Sequence, residues 1–379
     1  MNADTEDKPP SQPTTQNGKT PLELPKKVAV TYSEVKREYF PTEAQYLTEK
    51  DALHDAKIIV SYLEKMGIRT ELYPGDALLP QKLRRDKPDI VMNLVGSVKG
   101  NEYLASTIPA VLELLGISYT GAGILGESLD YNKFLVKKLL QQYGVPVPNN
   151  QLFNTPNDPL DPTLRFPLIS KLNEIHGGVE ITVDAISENE KHLRDRIKFL
   201  TQTYDQPVLV EEFIVGREIT GMLLEGLNKK VYLAEKVFHK ENQQYVFSTF
   251  EDQWLLHGDE SFHYQRYHDE LLKAYVKRAF EITKMADYGK FDVRMDSSGR
   301  YFFIDANSNP AFGPKEVDCA LANILNLYGI SFVEILKRLL LNTMRDATGV
   351  GTKVLPTPDG NGHGNYPQTR EQTPHRILV

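Results

Sequence analysis

Two aspartates and an asparagine late in the chain, Asp292, Asp305 and Asn307, are the residues whose type and spacing point most directly to chemistry. They sit on two β-prone runs, 290–295 and 301–307, separated by Asp296-Ser297-Ser298-Gly299, which has the composition of a tight turn. If Asp296 pairs with Gly299, Lys290 lies across from Asp305 and Asp292 across from Phe303. Side-chain alternation then puts Lys290, Asp292, Asp305 and Asn307 on one face of the hairpin. The aspartates become diagonal neighbours about 7–8 Å apart, within reach of one or two shared cations. Two carboxylates and an amide oxygen are hard ligands, suited to Mg²⁺ held jointly with phosphates. The same residues also describe an exposed hairpin with a solvated acidic edge.

Elements must position this hairpin. From Lys27 onward the strand Lys27-Val28-Ala29-Val30-Thr31-Tyr32, a helix over 49–66, a strand at 68–73, a helix near 76–85, a strand at 90–95, a helix over 104–115 and a strand at 117–119 alternate. That grammar predicts a parallel sheet covered on both faces, with ligands at the carboxyl ends of its strands. Those ends are Glu34 with its neighbours and the loop 96–102, both candidates for lining a substrate cleft. A helix from Tyr131 to Val145 carries Lys133, Lys137 and Lys138. Strands then dominate, at 166–171, 179–184, 208–213, 218–224, 231–238 and 245–249, with helices at 188–202 and 268–286. This second pattern predicts an antiparallel sheet with helices on one side.

At 379 residues with 40% hydrophobic and 25% charged side chains, the chain has room for two or three domains. A net charge of −7 argues against general affinity for nucleic acid or an anionic membrane. Cys319 is the only cysteine, which excludes an intrachain disulfide and a thiolate metal cluster. No apolar run reaches the ~20 residues of a membrane span, and Met1 to Lys27 lacks the apolar core of a signal peptide, so a cytoplasmic protein is expected. Residues 1–25 and 349–379 read as disordered tails, and His363 and His375 as solvated tail residues.

Two further stretches fit a nucleotide. Lys171 ends an apolar strand shortly before His176-Gly177-Gly178-Val179, and glycines let backbone approach phosphate oxygens while a lysine adds charge. Glu211-Glu212-Phe213-Ile214 runs out of a strand into irregular backbone whose N–H and C=O groups suit a purine edge, and Glu218 beyond it suits ribose hydroxyls. Each piece alone is equally an ordinary turn or a solvated edge.

Taken in order and spacing, Lys133, Lys171, Glu211 to Ile214, Glu218, Asp292 and Asp305-Ala306-Asn307 resemble the ATP-grasp superfamily, most of all its D-alanine-D-alanine ligase branch, from about Lys27 to Leu341. Leu112-Glu-Leu-Leu-Gly-Ile-Ser-Tyr-Thr-Gly-Ala-Gly123 is similar to the ligases' LELLGIPYTGSG segment. The resemblance implies an α/β and α+β chain with the ATP-grasp fold: disordered 1–25, an N-terminal parallel α/β domain over 26–125, a central lid subdomain over 126–212, a C-terminal antiparallel catalytic subdomain over 213–345, and a tail from 346 to 379. It implies ATP with two Mg²⁺ ions, Mn²⁺ being able to substitute, small amino-acid substrates and a homodimer. Lys133 and Lys171 would hold the α and β phosphates, the loop 173–179 with Gly177 and Gly178 would cover the triphosphate, and the backbone of Glu211, Glu212, Phe213 and Ile214 would read adenine. Glu218 would take the ribose, Asp292, Asp305 and Asn307 the metals, and Lys290 the oxyanion.

The implied chemistry is phosphorylation of a carboxylate by ATP, followed by amine attack on the acyl phosphate. Four departures bear on the substrate. Lys290 replaces an arginine, and Ala311 follows Pro310 where the ligases have glycine, leaving its N–H able to donate if the backbone accepts alanine. Gln253, in Phe250-Glu251-Asp252-Gln253-Trp254, stands in the place of a lysine near the γ-phosphate, and the lid lacks the ligases' serines. His239, His257 and His263 are either substitutes for the missing charge or surface residues. An ATP-grasp enzyme that stops at the acyl phosphate and a non-catalytic nucleotide-binding regulator therefore stay beside the carboxylate-amine ligase as readings.

Overall fold

The computed structural model describes residues 23–226, 228–240, 243–256 and 260–348, so 1–22, 349–379, His257, His363 and His375 lie outside the described residues, while 346–348, expected in the tail, end the last helix. Three sheets organise these residues, one parallel and two antiparallel.

The first uses β1 (Lys27–Tyr32), α1 (Glu43–Glu49), α2 (Ala52–Lys65), β2 (Arg69–Pro74), α3 (Leu79–Asp86), β3 (Ile90–Leu94), α4 (Thr107–Leu115) and β4 (Ser118–Tyr119), in the strand order β2-β1-β3-β4. Its central strands are apolar on both faces because both faces are covered. Val28, Val30, Ile90 and Met92 share a core with Ala56, Ile59 and Leu63 of α2, while Ala29 and Val91 pack with Leu79, Leu83 and Leu112 of α3 and α4. The helix expected over 49–66 is α2, and α1 is a further helix before it, capped by Thr42, which accepts the Gln45 N–H.

Two helices, α5 (Ile124–Asp130) and α6 (Lys133–Gln142), lead to β5 (Asn150–Phe153), β6 (Leu168–Leu172), β7 (Ile186–Ser187), α7 (Glu190–Tyr204) and β8 (Val208–Glu212), ordered β5-β8-β6-β7. Leu193, Ile197 and Leu200 of α7 cover the face made by Phe153, Leu168, Leu172, Val208 and Val210. Alternation sends Ile169, Lys171 and Glu211 to the opposite face. The strand expected at 179–184 is a turn and a short 3-10 helix at Val183–Ala185, because the Ile181 N–H bonds back to the Gly178 carbonyl and Glu180 has a positive φ.

The third sheet contains β9 (Gly216–Leu224), β10 (Lys230–Phe238), β11 (Phe262–Tyr267), β12 (Tyr288–Asp296) and β13 (Tyr301–Asn307), ordered β11-β10-β9-β12-β13, with α8 (Phe250–Trp254) and α9 (Glu270–Ile282) between strands and α10 (Ala320–Leu327) and α11 (Phe332–Thr348) after them. Residues 245–249, expected as a strand, are irregular, since the Ser248 N–H goes to the Glu218 carboxylate and Thr249 caps α8. One face of the sheet, with Ile219, Leu223, Phe291, Val293 and Phe303, packs on α6 and α9. The other face is divided along its length. Met222, Leu224, Tyr232, Ala234 and Tyr288 lie under α10 and α11, whereas Glu218, Thr220, Lys236, Lys290, Asp292 and Arg294 continue the same alternation as a polar half.

The hairpin differs from its expected register in two places. Asp296 accepts the Ser298 and Arg300 N–H groups at 2.9 and 3.0 Å on its side chain, and its own N–H bonds the Arg300 carbonyl at 3.0 Å. Gly299, at φ +81, completes a turn one residue longer than expected. Met295 therefore faces Tyr301, a slip that by itself would send Asp305 to the wrong face. A bulge between Asp292 and Val293 on one strand and Phe303 and Asp305 on the other absorbs the extra residue, Ile304. Asp292 consequently faces Asp305 directly and Lys290 faces Asn307, in place of the expected diagonal.

The bulge is seated by Phe303, buried against Phe291 with ring centroids 5.7 Å apart. Phe303→Ala should lower unfolding free energy by about 3–5 kcal/mol, read by urea denaturation; a loss below about 1 kcal/mol would show that this ring does not seat the bulge.

Candidate active site

The expected donor set assembles at the bulge. Asp292 Oδ1 accepts from Thr220 Oγ1 at 3.0 Å, and its other oxygen is bonded by Lys290 Nζ. Asn307 Nδ2 lies 3.4 Å from Asp305 Oδ2. Burial pushes the Asp305 carboxyl upward, but Lys133, His176, Lys290 and Lys171 outweigh it and hold the group down at about 2. Asp292 is likewise lowered, with burial opposed by Lys290 and Lys236. Both carboxylates are therefore charged at neutral pH, side by side, and with the Asn307 amide they form an oxygen donor set that fits a hard divalent cation.

The lysines are held as well. Lys171 Nζ is 2.6 Å from Glu211 Oε2 and 3.2 Å from the Ile304 carbonyl. Lys137, one helical turn beyond Lys133, reaches Glu211 Oε1 at 2.6 Å and donates to the carbonyls of Phe303 and Ile304 at 3.1 and 3.0 Å. β13 is an edge strand, and its Phe303 and Ile304 carbonyls give the two lysines acceptors. Glu211 is fully buried between them and stays ionised against its burial because of them. Lys133 Nζ donates to the Ile175 carbonyl at 2.6 Å.

Glu218 is buried too, with Lys236 Nζ at 2.8 Å and Arg294 Nη1 at 3.2 Å; these two cations outweigh burial and lower its carboxyl. Strand register explains the trio, since Lys236, Glu218 and Arg294 face one another across β10, β9 and β12. Nearby, Phe213 and Phe247 pack edge to face at 5.5 Å in an apolar cluster with Ile169, Ala185 and Ile186. The backbone expected to be open here is partly engaged. The Glu212 and Phe213 N–H groups bond the carbonyls of Asn149 and Pro167, and the Ile214 carbonyl accepts from Arg294 Nε at 2.6 Å. The Glu212 side chain accepts from the Arg165 N–H and Asn149 Nδ2.

Gly177 and Gly178, at φ +70 and +66, bring the loop 173–179 close to α1 and α8: a Cβ on Gly177 would meet the Thr48 side chain at 2.6 Å, and one on Gly178 would meet Gln253 at 3.0 Å. Trp254 Nε1 donates to the Gly177 carbonyl at 2.7 Å. Ala311 is exposed, and its φ is not positive, so alanine is unstrained there. Glu34 stands just past the end of β1, with Tyr39 and Lys36 as partners from its own loop. His239, just past the end of β10, and His263 of β11 bond each other at 2.8 Å, and Cys319 is buried, its thiol pushed up by burial to about 11.

Sequence reasoning missed Lys236, Arg294, Glu127 and Asp130, and named Glu102 only as the last residue of the loop 96–102. Only strand pairing could have found Lys236 and Arg294; Glu127 and Asp130 carry no local signal. Burial lifts the Glu127 carboxyl to about 8, while Asp130, its neighbour in α5, accepts the N–H and Oγ of Ser308 at 3.1 and 3.0 Å.

Residues 139–341 match the family described as D-ala D-ala ligase C-terminus. The chain is 30% identical over 268 residues to an uncharacterized protein of Sinorhizobium fredii, covering 67% of this chain and 78% of that one. It is 26% identical over 305 residues to a D-alanine-D-alanine ligase of Halorhodospira halophila, covering 78% of this chain and 93% of the ligase. Among solved structures, the D-alanine-D-alanine ligase of Bacillus anthracis complexed with ATP superimposes with a TM-score of 0.65 at 17% identity, covering 85% of this chain and 98% of the other.

The depressed Asp305 carboxyl makes a stability prediction. Its folded value, about 2, lies below the ordinary 3.8, so the associated stability is present above the ordinary value and lost as pH falls through the folded one. The unfolding free-energy gap between wild type and Asp305→Asn should narrow by about 2 kcal/mol between about pH 5 and about pH 2, read from urea midpoints. A gap constant across that range would mean that the surrounding cations do not hold this carboxylate.

Proposed function

Because the chain belongs to the D-alanine-D-alanine ligase family of ATP-grasp proteins, we propose that it is a Mg²⁺- and ATP-dependent carboxylate-amine ligase, ADP-forming, joining amino acids or similar small molecules. The observation that carries the reading is convergence: Lys133, Lys171, Lys290 and His176, from different segments, all act on Asp305, while Asp292 faces it across the ladder. Cations gathered around ionised oxygen donors suit a metal-bound triphosphate.

In this reading Lys133 and Lys171 bind the α and β phosphates, and residues 173–179, with Gly177 and Gly178, cover them. Adenine lies along Glu211 to Ile214 against Phe213 and Phe247, with its ribose on Glu218, whose carboxylate Lys236 and Arg294 keep charged and oriented. Asp292, Asp305 and Asn307 would hold two Mg²⁺ ions, which supply charge neutralisation for phosphoryl transfer. A substrate carboxylate oxygen attacks the γ-phosphorus and ADP leaves, giving an acyl phosphate. An amine then attacks the acyl carbon, Lys290 and the Ala311 N–H stabilise the oxyanion, and the tetrahedral adduct collapses with loss of phosphate and a proton. Glu34 lines the cleft on the substrate side.

Gln253 is exposed and donates to the Thr249 carbonyl at 3.4 Å, so it adds no cation beside the lid. The acceptor therefore need not match that of the cell-wall enzymes, and both D-alanyl-D-alanine and an amide of a specialised metabolite fit.

Incubation with Mg²⁺-ATP and amino acids, singly and in pairs, tests the reading. ADP release that requires an acceptor amine and yields an amide is expected. Release with the carboxylate alone would assign a phosphotransferase, and tight ATP binding without release for any pair would assign a regulator; either overturns ligation. Asp292→Ala and Asp305→Ala should each cut turnover by at least about 100-fold while keeping the native circular dichroism spectrum; near-normal turnover in either would remove it from the metal site.

A further inference from the structure

Three consecutive residues of the lid are pinned from three directions. Lys133 holds the Ile175 carbonyl and Trp254 the Gly177 carbonyl. Between them, Glu102 Oε2 accepts both the His176 backbone N–H and the His176 Nδ1, each at 2.9 Å. The outer two pins grip backbone, which any loop sequence would offer. The middle one depends on the side chain.

The other edge of that imidazole faces a second carboxylate. Nε2 lies 3.8 Å from Asp130 Oδ1, both atoms are buried, and neither has a hydrogen-bond partner among the described residues. The ring packs edge to face on Tyr131 at 5.2 Å. Glu102 belongs to the 3-10 turn at Glu102–Ser106 that precedes α4 beside the parallel sheet, and Asp130 closes α5. The second oxygen of Asp130 is tied to Ser308, next to Asn307. One imidazole thus stands between the lid, the N-terminal sheet unit and the strand end that carries the donor set. Doubly protonated imidazole has opposed N–H donors on a rigid ring, a geometry that suits a group set between two carboxylates.

We propose that His176 is a positioning residue that latches the lid: bridging Glu102 and Asp130, it keeps residues 173–179 closed over bound nucleotide only while the N-terminal unit is docked. The proposal rests on the ATP-ligase reading. Its consequence is chemical, because an acyl phosphate formed beneath an unlatched lid would meet water before it met an amine.

Full-length protein loaded with a fluorescent derivative of Mg²⁺-AMP-PNP, then mixed with excess unlabelled nucleotide, reads the latch as a dissociation rate. His176→Ala and Glu102→Gln should each speed release about tenfold, the size of one charge-assisted hydrogen bond. The double variant should be no faster than the singles, since both break one bridge. Nucleotide should protect the amides of 173–179 from hydrogen exchange in wild type and not in the variants. Glu102→Gln is isosteric and carries the test if His176→Ala misfolds. Unchanged release in the folded variants, or fully additive effects, overturns the latch and leaves the ligase reading standing. Failure of wild type to bind the nucleotide overturns both.

Discussion

Two carboxylates facing each other across a strand ladder repel, and the structure around Asp292 and Asp305 is what makes that arrangement tenable. Neither is neutralised by taking up a proton. Lys290 bonds the first, and a ring of Lys133, His176, Lys290 and Lys171 keeps the second charged despite its burial. The cations come from the helix after α5, the central sheet, the loop 173–179 and the hairpin itself, so four segments together keep the pair charged. An electrostatic conflict at one point thereby sets the relative placement of separate units.

A second buried acid works the same way in reverse. Glu211 lies inside the protein between Lys137 and Lys171; Lys137 also donates to the Phe303 and Ile304 carbonyls and Lys171 to the Ile304 carbonyl. The central sheet, α6 and β13 are joined through one carboxylate. Removing one member of such a cluster leaves an unpaired buried charge, at a cost of about 3–5 kcal/mol. Lys171 therefore carries a structural charge as well as a candidate phosphate contact, and loss of activity on its replacement would not by itself identify its role.

Core and site share one surface. Along β9, β10 and β12 the same alternation that buries Met222, Tyr232 and Tyr288 under α10 and α11 presents Glu218, Lys236, Asp292 and Arg294 a few residues further on. The apolar half fixes the twist and spacing of the strands, and the polar half inherits that rigidity. Side chains placed this way need little reordering before chemistry, which is the property a phosphoryl-transfer site needs.

The parallel unit was legible in the amino-acid order alone, because its apolar runs and helical spacing are local and repeat without interruption, and the same order put Asp292, Asp305 and Asn307 on one hairpin, with Lys133 and Lys171 as their expected neighbours by the family resemblance. Tertiary structure decided the rest. The register depends on the Asp296 carboxylate capturing the turn and on Phe303 seating the bulge, neither of which is a property of strand propensity. Residues 179–184 and 245–249 are β-prone in composition but lose their strands to competing bonds from Gly178 and Glu218. The strands at Asn150–Phe153 and Phe262–Tyr267 escaped notice because short edge strands carry polar residues. Partners such as His176 with Glu102, and Lys236 with Glu218, are far apart along the chain, and burial, which raises the strength of every charge it encloses, exists only once the chain has folded.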